Sequence, residues 1–250
     1  MRVATFNIWN SSRGMPLREK QIVNELNSIS SDIICLQEVK SEVYDMLKNN
    51  LSNYDYSYYH ISEEHDGLAI FSKHPLLTKV HTNYAILVTC EYNNNKILVV
   101  NVHLPWDSVM KKENYMVKII HETSKIAADY TVLTGDFNCS DKSSVHQYLI
   151  GDITLLNTEA NPCYYDLAEV YAEINNETPE NTLNIRTNPR WQGNNVAYTG
   201  GRVDRVYLKD AFPKSQPILK SFALFGKEIN EKSGYCASDH YGVMVEVELE

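Results

Sequence analysis

Short apolar runs that end in a polar residue constrain this chain more than any other feature. "VATF" delivers Asn7, "IICLQ" delivers Glu38, "ILVVNV" delivers His103, and "TVLTG" delivers Asp136 and then Asn138. A further run, "VYL", adjoins Asp204 in "GGRVDRVYL", and the last apolar stretch follows Ser238, Asp239 and His240. Runs of this length, rich in Val, Ile and Leu and bounded by turn residues, read as strands. Residues two apart on a strand face the same side, so Asp136 and Asn138 can point into one space. If these strand ends meet at one rim, the rim holds several carboxylates, two asparagines and two histidines.

Each residue taken singly has an ordinary structural reading. Asn7 reads as a turn residue at a strand end, and Glu38 as a solvated residue opening a loop. His103 reads as a satisfied core histidine, and Asp136 after Gly135 as an Asx-turn. Asp204, between Arg202 and Arg205, reads as a surface ion pair, and Asp239 with His240 as a loop cap. Six such endings with no shared Gly or Pro spacing are poorly explained by turn chemistry.

The intervening segments supply helices. "LREKQIVNELNSI" places Ile22, Leu26 and Ile29 on one stripe. "SEVYDMLKNNL" opens with Ser41 as an expected N-cap and carries Val43 and Leu47 on one face. Residues 108–128 form a third candidate, with Met116, Ile120 and Ala127 in register. The asparagines at 93–95 predict a hairpin turn between two strands. Residues 173–195 read as one long surface loop, of a length that is often functional. No repeat or linker divides the chain, so residues 1–250 are expected to form a single domain. The mixture of hairpins and crossovers points to an α/β fold with mixed sheets, two of them packed together with helices outside.

Charge and cysteine usage narrow the function. The chain has 250 residues and a net charge of −9, which disfavours extensive duplex binding, because phosphate contacts dominate that affinity. Cys35, Cys90, Cys139, Cys163 and Cys236 are scattered, with no C-x-x-C, as expected of reduced thiols in the cytoplasm and against a zinc site. No run of about 20 apolar residues and no signal-peptide pattern is present. A cytoplasmic monomer is the expectation.

"TFNIW", "DIICLQEV", "DGLAIFSKHP", "VNVHLP", "LTGDFN", "RVDRVY" and "SDHYGV" occur in that order. As an ordered set they resemble the endonuclease/exonuclease/phosphatase superfamily, the deoxyribonuclease I-like enzymes, over residues 3 to about 248. The resemblance implies a four-layer α/β/β/α sandwich and metal-dependent hydrolysis of a phosphate ester, usually with Mg2+, with Mn2+ as a substitute. Carried over residue by residue, it implies Glu38 as main metal ligand with Asn7 beside it, and Asp239 near a second metal position. It implies Asp136 as the residue that positions or deprotonates the attacking water, and Asn138 as its partner on the phosphate. It implies His240 as a phosphate contact oriented by Asp204, His103 as a further phosphate contact, and Asp66 as a group orienting His103.

The implied activity is in-line attack of an activated water on a phosphodiester or phosphomonoester. A nucleic-acid end or nucleotide-type substrate leads. Sphingomyelinase-like or inositol-phosphatase-like action is an alternative, but no exposed apolar hairpin or Lys/Arg cluster is legible. A non-catalytic binding module is a third reading, opposed by the intact set of residues. A weaker resemblance to the 5′-tyrosyl-DNA phosphodiesterase branch rests on the spacing back from "SDHYGV" through "SFALFGKEINEKSGYCA", and on Trp191 before "GGRVDRVY". The sequence departs from that branch at Trp9, where an acidic residue is expected, and at Pro105 and Trp106, where a small polar pair is expected. Trp9, Trp106, Trp191, Tyr198 and Tyr235 are candidates to stack a base or sugar. Arg13, Arg186, Arg190 and Arg202 are candidates to meet phosphate.

Overall fold

A computed structural model describes residues 1–62, 65–193 and 200–249. The chain begins with β1 (Arg2–Asn7), α1 (Leu17–Ser28), β2 (Ile33–Val39), α2 (Ser41–Asn50), β3 (Tyr56–Ser62) and β4 (His65–Ser72). It continues with β5 (Thr78–Thr82), β6 (Ala85–Tyr92), β7 (Asn95–His103), α3 (Val109–Ser124), β8 (Tyr130–Asp136) and α4 (Ser144–Leu149). It ends with β9 (Tyr164–Asp166), α5 (Leu167–Asn175), β10 (Asp204–Lys209), β11 (Ile218–Phe225) and β12 (Gly242–Glu248). These strands form two six-stranded sheets, ordered β11-β12-β1-β2-β4-β3 and β5-β6-β7-β8-β10-β9. Both are mixed: β1 is parallel to β2 and β7 to β8, and the other pairings are antiparallel.

Strand alternation builds four layers. Val3, Ile33, Val99, Val132, Val206 and Val245 fill the gap between the sheets. Their strand neighbours Ala4, Phe6, Ile34 and Leu36 turn to the other face and meet Ile22 and Leu26 of α1 and Val43 and Leu47 of α2. On the second sheet, Leu98, Val100, Leu133 and Tyr207 meet Met116 and Ile119 of α3 and Val145 and Leu149 of α4. Strands covered on both faces need near-continuous apolar runs, which is why these central strands stand out in the sequence. The result is the expected α/β/β/α sandwich.

Sequence patterning missed β3, β5 and β9, and all three are sheet edges. An edge strand is half exposed and needs no apolar run; "YSYYHIS" and "TKVHT" have none. Residues 173–195 are also less loop-like than expected. Their start completes α5, Leu183 bridges to Gly201, Pro189–Trp191 form a 3-10 turn, and Thr182, Leu183 and Asn188 are buried. Thr182 accepts from the Val203 and Asp204 N–H groups and Asn188 donates to the Ser238 carbonyl, so this part is fastened to its neighbours.

Gly135 explains itself in three dimensions. Its φ is 134°, and a Cβ there would stand 1.9 Å from the Val102 carbonyl oxygen. Only glycine permits β8 to approach β7 so closely. That approach pairs His103 with Asp136 across the ladder. The glycine marks a close strand contact and not the turn that "Gly-Asp" suggests.

Candidate active site

At one end of the gap between the sheets, the apolar filling gives way to a buried polar layer. Gln37 Nε2 donates to Thr5 Oγ1 at 2.9 Å and to Asn101 Oδ1 at 2.6 Å. Asn101 Nδ2 in turn donates to the Leu36 and Ala69 carbonyls, both at 3.0 Å. Two residues further along each strand, on the same face, Thr5 leads to Asn7, Asn101 to His103 and Thr134 to Asp136. Antiparallel β10 enters at the same end and sets Asp204 opposite Asp136.

Asn7 Nδ2 bridges two carboxylates, donating to Glu38 Oε1 at 3.0 Å and to Asp136 Oδ2 at 2.9 Å. The Asn7 Oδ1 atom accepts from the Trp9 backbone N–H at 3.0 Å. Alternation after Ile34 and Leu36 would turn Glu38 towards the helices. A register shift between Leu36 and Val39, with a φ of 59° at Glu38, turns it back to the rim. There its Oε2 accepts from the Asn10 N–H at 3.0 Å. Asn138 has a φ of 48° and Trp9 of 55°. Non-glycine residues held in this region concentrate at functional sites. Asp136 Oδ1 accepts from the Asn138 N–H at 2.8 Å, and its Oδ2 lies 3.7 Å from His103 Nε2 and 4.0 Å from His240 Nδ1.

His240 Nδ1 meets Asp204 Oδ2 at 2.9 Å, and both side chains are buried. Burial opposes charge on the imidazole, but Asp204, with Asp136 and Asp239 near, raises its pKa well above the ordinary value. Burial raises the Asp204 carboxyl as well, so the two groups hold a proton between them at Nδ1, and Nε2 is the ring atom left to meet a ligand. Ser238 Oγ donates to the Asn7 carbonyl at 2.6 Å and accepts from the His240 N–H at 3.2 Å, tying the 238–240 segment to β1. Trp191 Nε1 donates to the Asp239 carbonyl at 2.8 Å. Burial, reinforced by Glu38, raises the Asp239 carboxyl to about 6, a penalty that a bound cation would relieve.

Glu38, His103, Asp136, Asn138, Trp191, Asp239 and His240 line one cavity of about 560 Å3, and Asn7, Asp204 and Ser238 are buried behind its wall. Glu38, Asp66, Asp107, Asp136 and Asp239 contribute carboxylates to it, against Lys111 among the lysines and arginines. A pocket of hard oxygen donors with so little opposing charge fits a divalent cation such as Mg2+. Asp136, Asp204 and His240 bring ligand atoms within 4.8 Å of one another, but the His240–Asp204 pair uses Nδ1 as a donor. Glu38 and Asp239 accept only from neutral N–H or O–H groups, and no ion pair among the described residues engages either carboxylate.

A second acidic cluster, His146, Asp166 and Glu169, lies outside this pocket. Arg202 holds Asp166 and Glu169, and Arg205 Nη1 meets Asp166 at 2.6 Å, so its carboxylates are already neutralised. Arg205 thus turns to the face of β10 opposite Asp204, and Arg202, which precedes the strand, meets the same Asp166. Burial, with Arg205 next, lowers the His146 pKa to about 4. A histidine neutral when folded binds a proton on unfolding, so its contribution is complete above about pH 6.5 and fades as pH falls towards 4. Urea unfolding should show a loss of about 3 kcal/mol across that window in excess of the loss seen with His146→Gln. Equal slopes for the two proteins would contradict the assignment.

Two buried cations escaped the sequence reading. Arg18 is fully buried and saturates its five N–H groups on backbone carbonyls: Nε on Ala237, Nη1 on Ser11 and Arg13, Nη2 on Ile8 and Trp9, all at 2.8–3.0 Å. Burial lowers its pKa only to about 10, so it stays charged. Lys112 Nζ donates to the Asn138 carbonyl at 2.5 Å. Each lies one turn before an apolar helix stripe, at the position where the stripe would continue.

Other expectations need correction. Asp66 accepts from Asn10 Nδ2, while His103 Nδ1 is buried without a hydrogen-bond partner, so Asp66 does not orient that atom. Trp9 is only 9% exposed and sits between Arg18 and Arg190, at 4.3 and 5.4 Å from its ring centre, with Tyr235 at its edge. Trp9 offers no free face to a base, and Tyr235 does not line the cavity. Arg202 is buried in the second acidic cluster, and Arg190 also packs over Trp191 at 4.9 Å. Arg13, Arg186, Arg190 and Arg202 are all absent from the cavity lining. Tyr198 lies outside the described residues.

Comparison with known proteins agrees with this architecture. The structure is similar to TDP2 of D. rerio complexed with a single-strand DNA product, at 16% identity and a TM-score of 0.80, covering 100% of this chain and 99% of that one. It is similar to TDP2 from C. elegans at 19% identity and a TM-score of 0.77, covering 99% of this chain and 75% of that one. It is also similar to beta toxin from Staphylococcus aureus at 15% identity and a TM-score of 0.71, covering 99% of this chain and 100% of that one. No curated protein matches by sequence. The model of the Endonuclease/Exonuclease/phosphatase family matches residues 4–240. With nearly the whole chain matched and the rim residues gathered on the expected sandwich, the chain belongs to the endonuclease/exonuclease/phosphatase family.

Proposed function

We propose that the protein is a Mg2+-dependent phosphoesterase that hydrolyses a nucleic-acid end or nucleotide-type ester by in-line attack of water. The observation that carries this reading is the convergence of Glu38, His103, Asp136, Asp239 and His240 in one acidic cavity, with buried Asn7 and Asp204 hydrogen-bonded behind them. Asp136 accepts the proton of the attacking water, a role worth roughly 10²–10⁴-fold. Asn138, anchored by its amide on the Leu104 carbonyl at 2.9 Å, holds the loop against Asp136 beside the phosphate. His240 donates from Nε2 to a non-bridging oxygen, and Asp204 fixes its tautomer as supporting carboxylates do. His103 faces the same phosphate from β7. Asn7 keeps Glu38 and Asp136 in place. Glu38 and Asp239 would hold Mg2+, with Mn2+ as a substitute, which when bound neutralises developing charge and orients the ester.

The D. rerio TDP2 likeness, in a complex with a DNA product, supports a nucleic-acid end over a lipid or inositol phosphate. Residues 1–250 act as one domain and one monomer in this reading, since a single chain supplies every rim residue. A reducing cytoplasm is in keeping with the five unpaired thiols. No helix among the described residues is long and apolar enough to cross a membrane.

Hydrolysis of bis-p-nitrophenyl phosphate tests the reaction class. Turnover is expected with Mg2+ or Mn2+ and is abolished by EDTA. If no phosphoester in a panel of nucleotide, DNA-end, lipid and inositol substrates shows metal-dependent turnover, the reading fails.

A further inference from the structure

The candidate stacking residues are unequal. Trp9 has its faces covered, and Trp191 is packed by Arg190 and hydrogen-bonded to the Asp239 carbonyl. Trp106 lines the same cavity with 80% of its surface exposed, and no ring or cation among the described residues packs on it. A large indole left bare beside a reactive pocket is a binding surface when the backbone that carries it is anchored, and here both flanks are. Leu104 donates its N–H to the Asp136 carbonyl at 2.9 Å, and its own carbonyl accepts from Asn138 Nδ2 at 2.9 Å. Pro105 then fixes the next φ. Ser108 caps α3, its Oγ accepting from the Lys111 N–H at 3.2 Å. Trp106 is therefore spliced between the catalytic strand ends and a capped helix.

Lys111, on the first turn of that helix, is exposed, lines the cavity and has no ion-pair partner among the described residues. It is the cavity's one lysine or arginine among them, against five carboxylates. Such a pocket repels a long polyanion but can take one planar ring and one extra phosphate. We infer that Trp106 and Lys111 form a nucleotide subsite, Trp106 stacking the base next to the scissile phosphate and Lys111 meeting the next phosphate along. The inference rests on the proposed hydrolase and specifies its substrate as a short single-stranded end or dinucleotide.

Two esters with the same leaving group test it: thymidine 5′-(p-nitrophenyl phosphate) and methyl p-nitrophenyl phosphate. Trp106→Ala should lower kcat/KM for the thymidine ester relative to the methyl ester by roughly 5- to 150-fold, the range for losing one base stack. Trp106→Phe should restore most of that ratio by returning a ring. Fluorescence titration with a 5′-phosphorylated thymidine dinucleotide reads the subsite independently of turnover. Quenching should be lost with Trp106→Ala, and affinity should fall several-fold with Lys111→Gln. If the wild type turns over the methyl ester while Trp106→Ala leaves both the ratio and the titration unchanged, the subsite is wrong and the hydrolase stands. If the titration depends on Trp106 but no ester is hydrolysed, the subsite stands and the hydrolase is wrong. If Trp106→Ala instead abolishes binding to phosphatidylcholine–sphingomyelin vesicles and leaves the titration intact, the bare indole, with exposed Val109 and Met110 beside it, serves a lipid surface and the proposal is overturned.

Discussion

Asp136→Asn lowers kcat by roughly 10²–10⁴-fold, the expected consequence of removing the group that takes the proton of water. Asn at 136 retains one carbonyl oxygen for the Asn138 N–H, but its amino group then faces the Asn7 Nδ2 that now donates to Asp136 at 2.9 Å. That clash of donors costs about 1–2 kcal/mol of stability, too little to unfold the protein. His240 needs a more careful substitution. His240→Ala would leave the buried Asp204 carboxyl without its hydrogen-bond partner, a strongly destabilising change. His240→Asn keeps an N–H near the place of Nδ1, and so a donor to Asp204, while deleting Nε2. It should lose turnover by about 10²–10³-fold, the cost of one charge-stabilising donor. Steady-state rates at saturating Mg2+, paired with urea unfolding, check both variants. A near-wild-type kcat in either folded variant removes that residue from the reaction.

The largest loss of stability is expected at Arg18, which takes no part in the proposed proton transfer. Arg18→Ala strands five backbone carbonyls that its guanidinium now satisfies. It also leaves a void against Trp9. Hydrogen bonds from a charged donor contribute about 1.5–3 kcal/mol each, and water can recover only part of that. A loss of at least about 3 kcal/mol is expected, or roughly 6–12 °C in Tm for a domain of this size. Arg18→Lys should restore little, because an ammonium has three donors and cannot span five acceptors. The same guanidinium joins residues 8–13 to Ala237, so surviving Arg18→Ala protein should also bind metal more weakly through a loosened Asp239. A loss below 1 kcal/mol would show that these bonds are replaced by solvent and that the clamp is incidental.

The central strands were legible because burial on both faces demands apolar runs, and β1, β2, β7 and β8 have them. The edge strands β3, β5 and β9 were not, since exposure relaxes the pattern on one side. Arg18 and Lys112 occupy positions that helical periodicity marks as inward, but their residue types argued for solvent. Only a cage of carbonyls around Arg18, or the Asn138 carbonyl opposite Lys112, makes a buried cation stable. Glu38 is the sharpest case within the site. Its place after "IICLQ" flagged it, yet strict alternation would have sent it to the helix layer. The irregularity between Leu36 and Val39 reverses that direction.

By itself, then, the sequence determined the central strand ends and the polar residue each one carries, because two-residue periodicity and local composition are properties of neighbours along the chain. It also determined the family, through seven motifs in order. The tertiary structure alone decided which of these side chains meet and which candidate aromatic keeps a free face. Trp9, Trp106 and Trp191 look alike in sequence, but covalent neighbours do not say what packs on a ring. Arg18 of α1 and Arg190 of the 189–191 turn pack on Trp9, whereas no ring or cation among the described residues packs on Trp106.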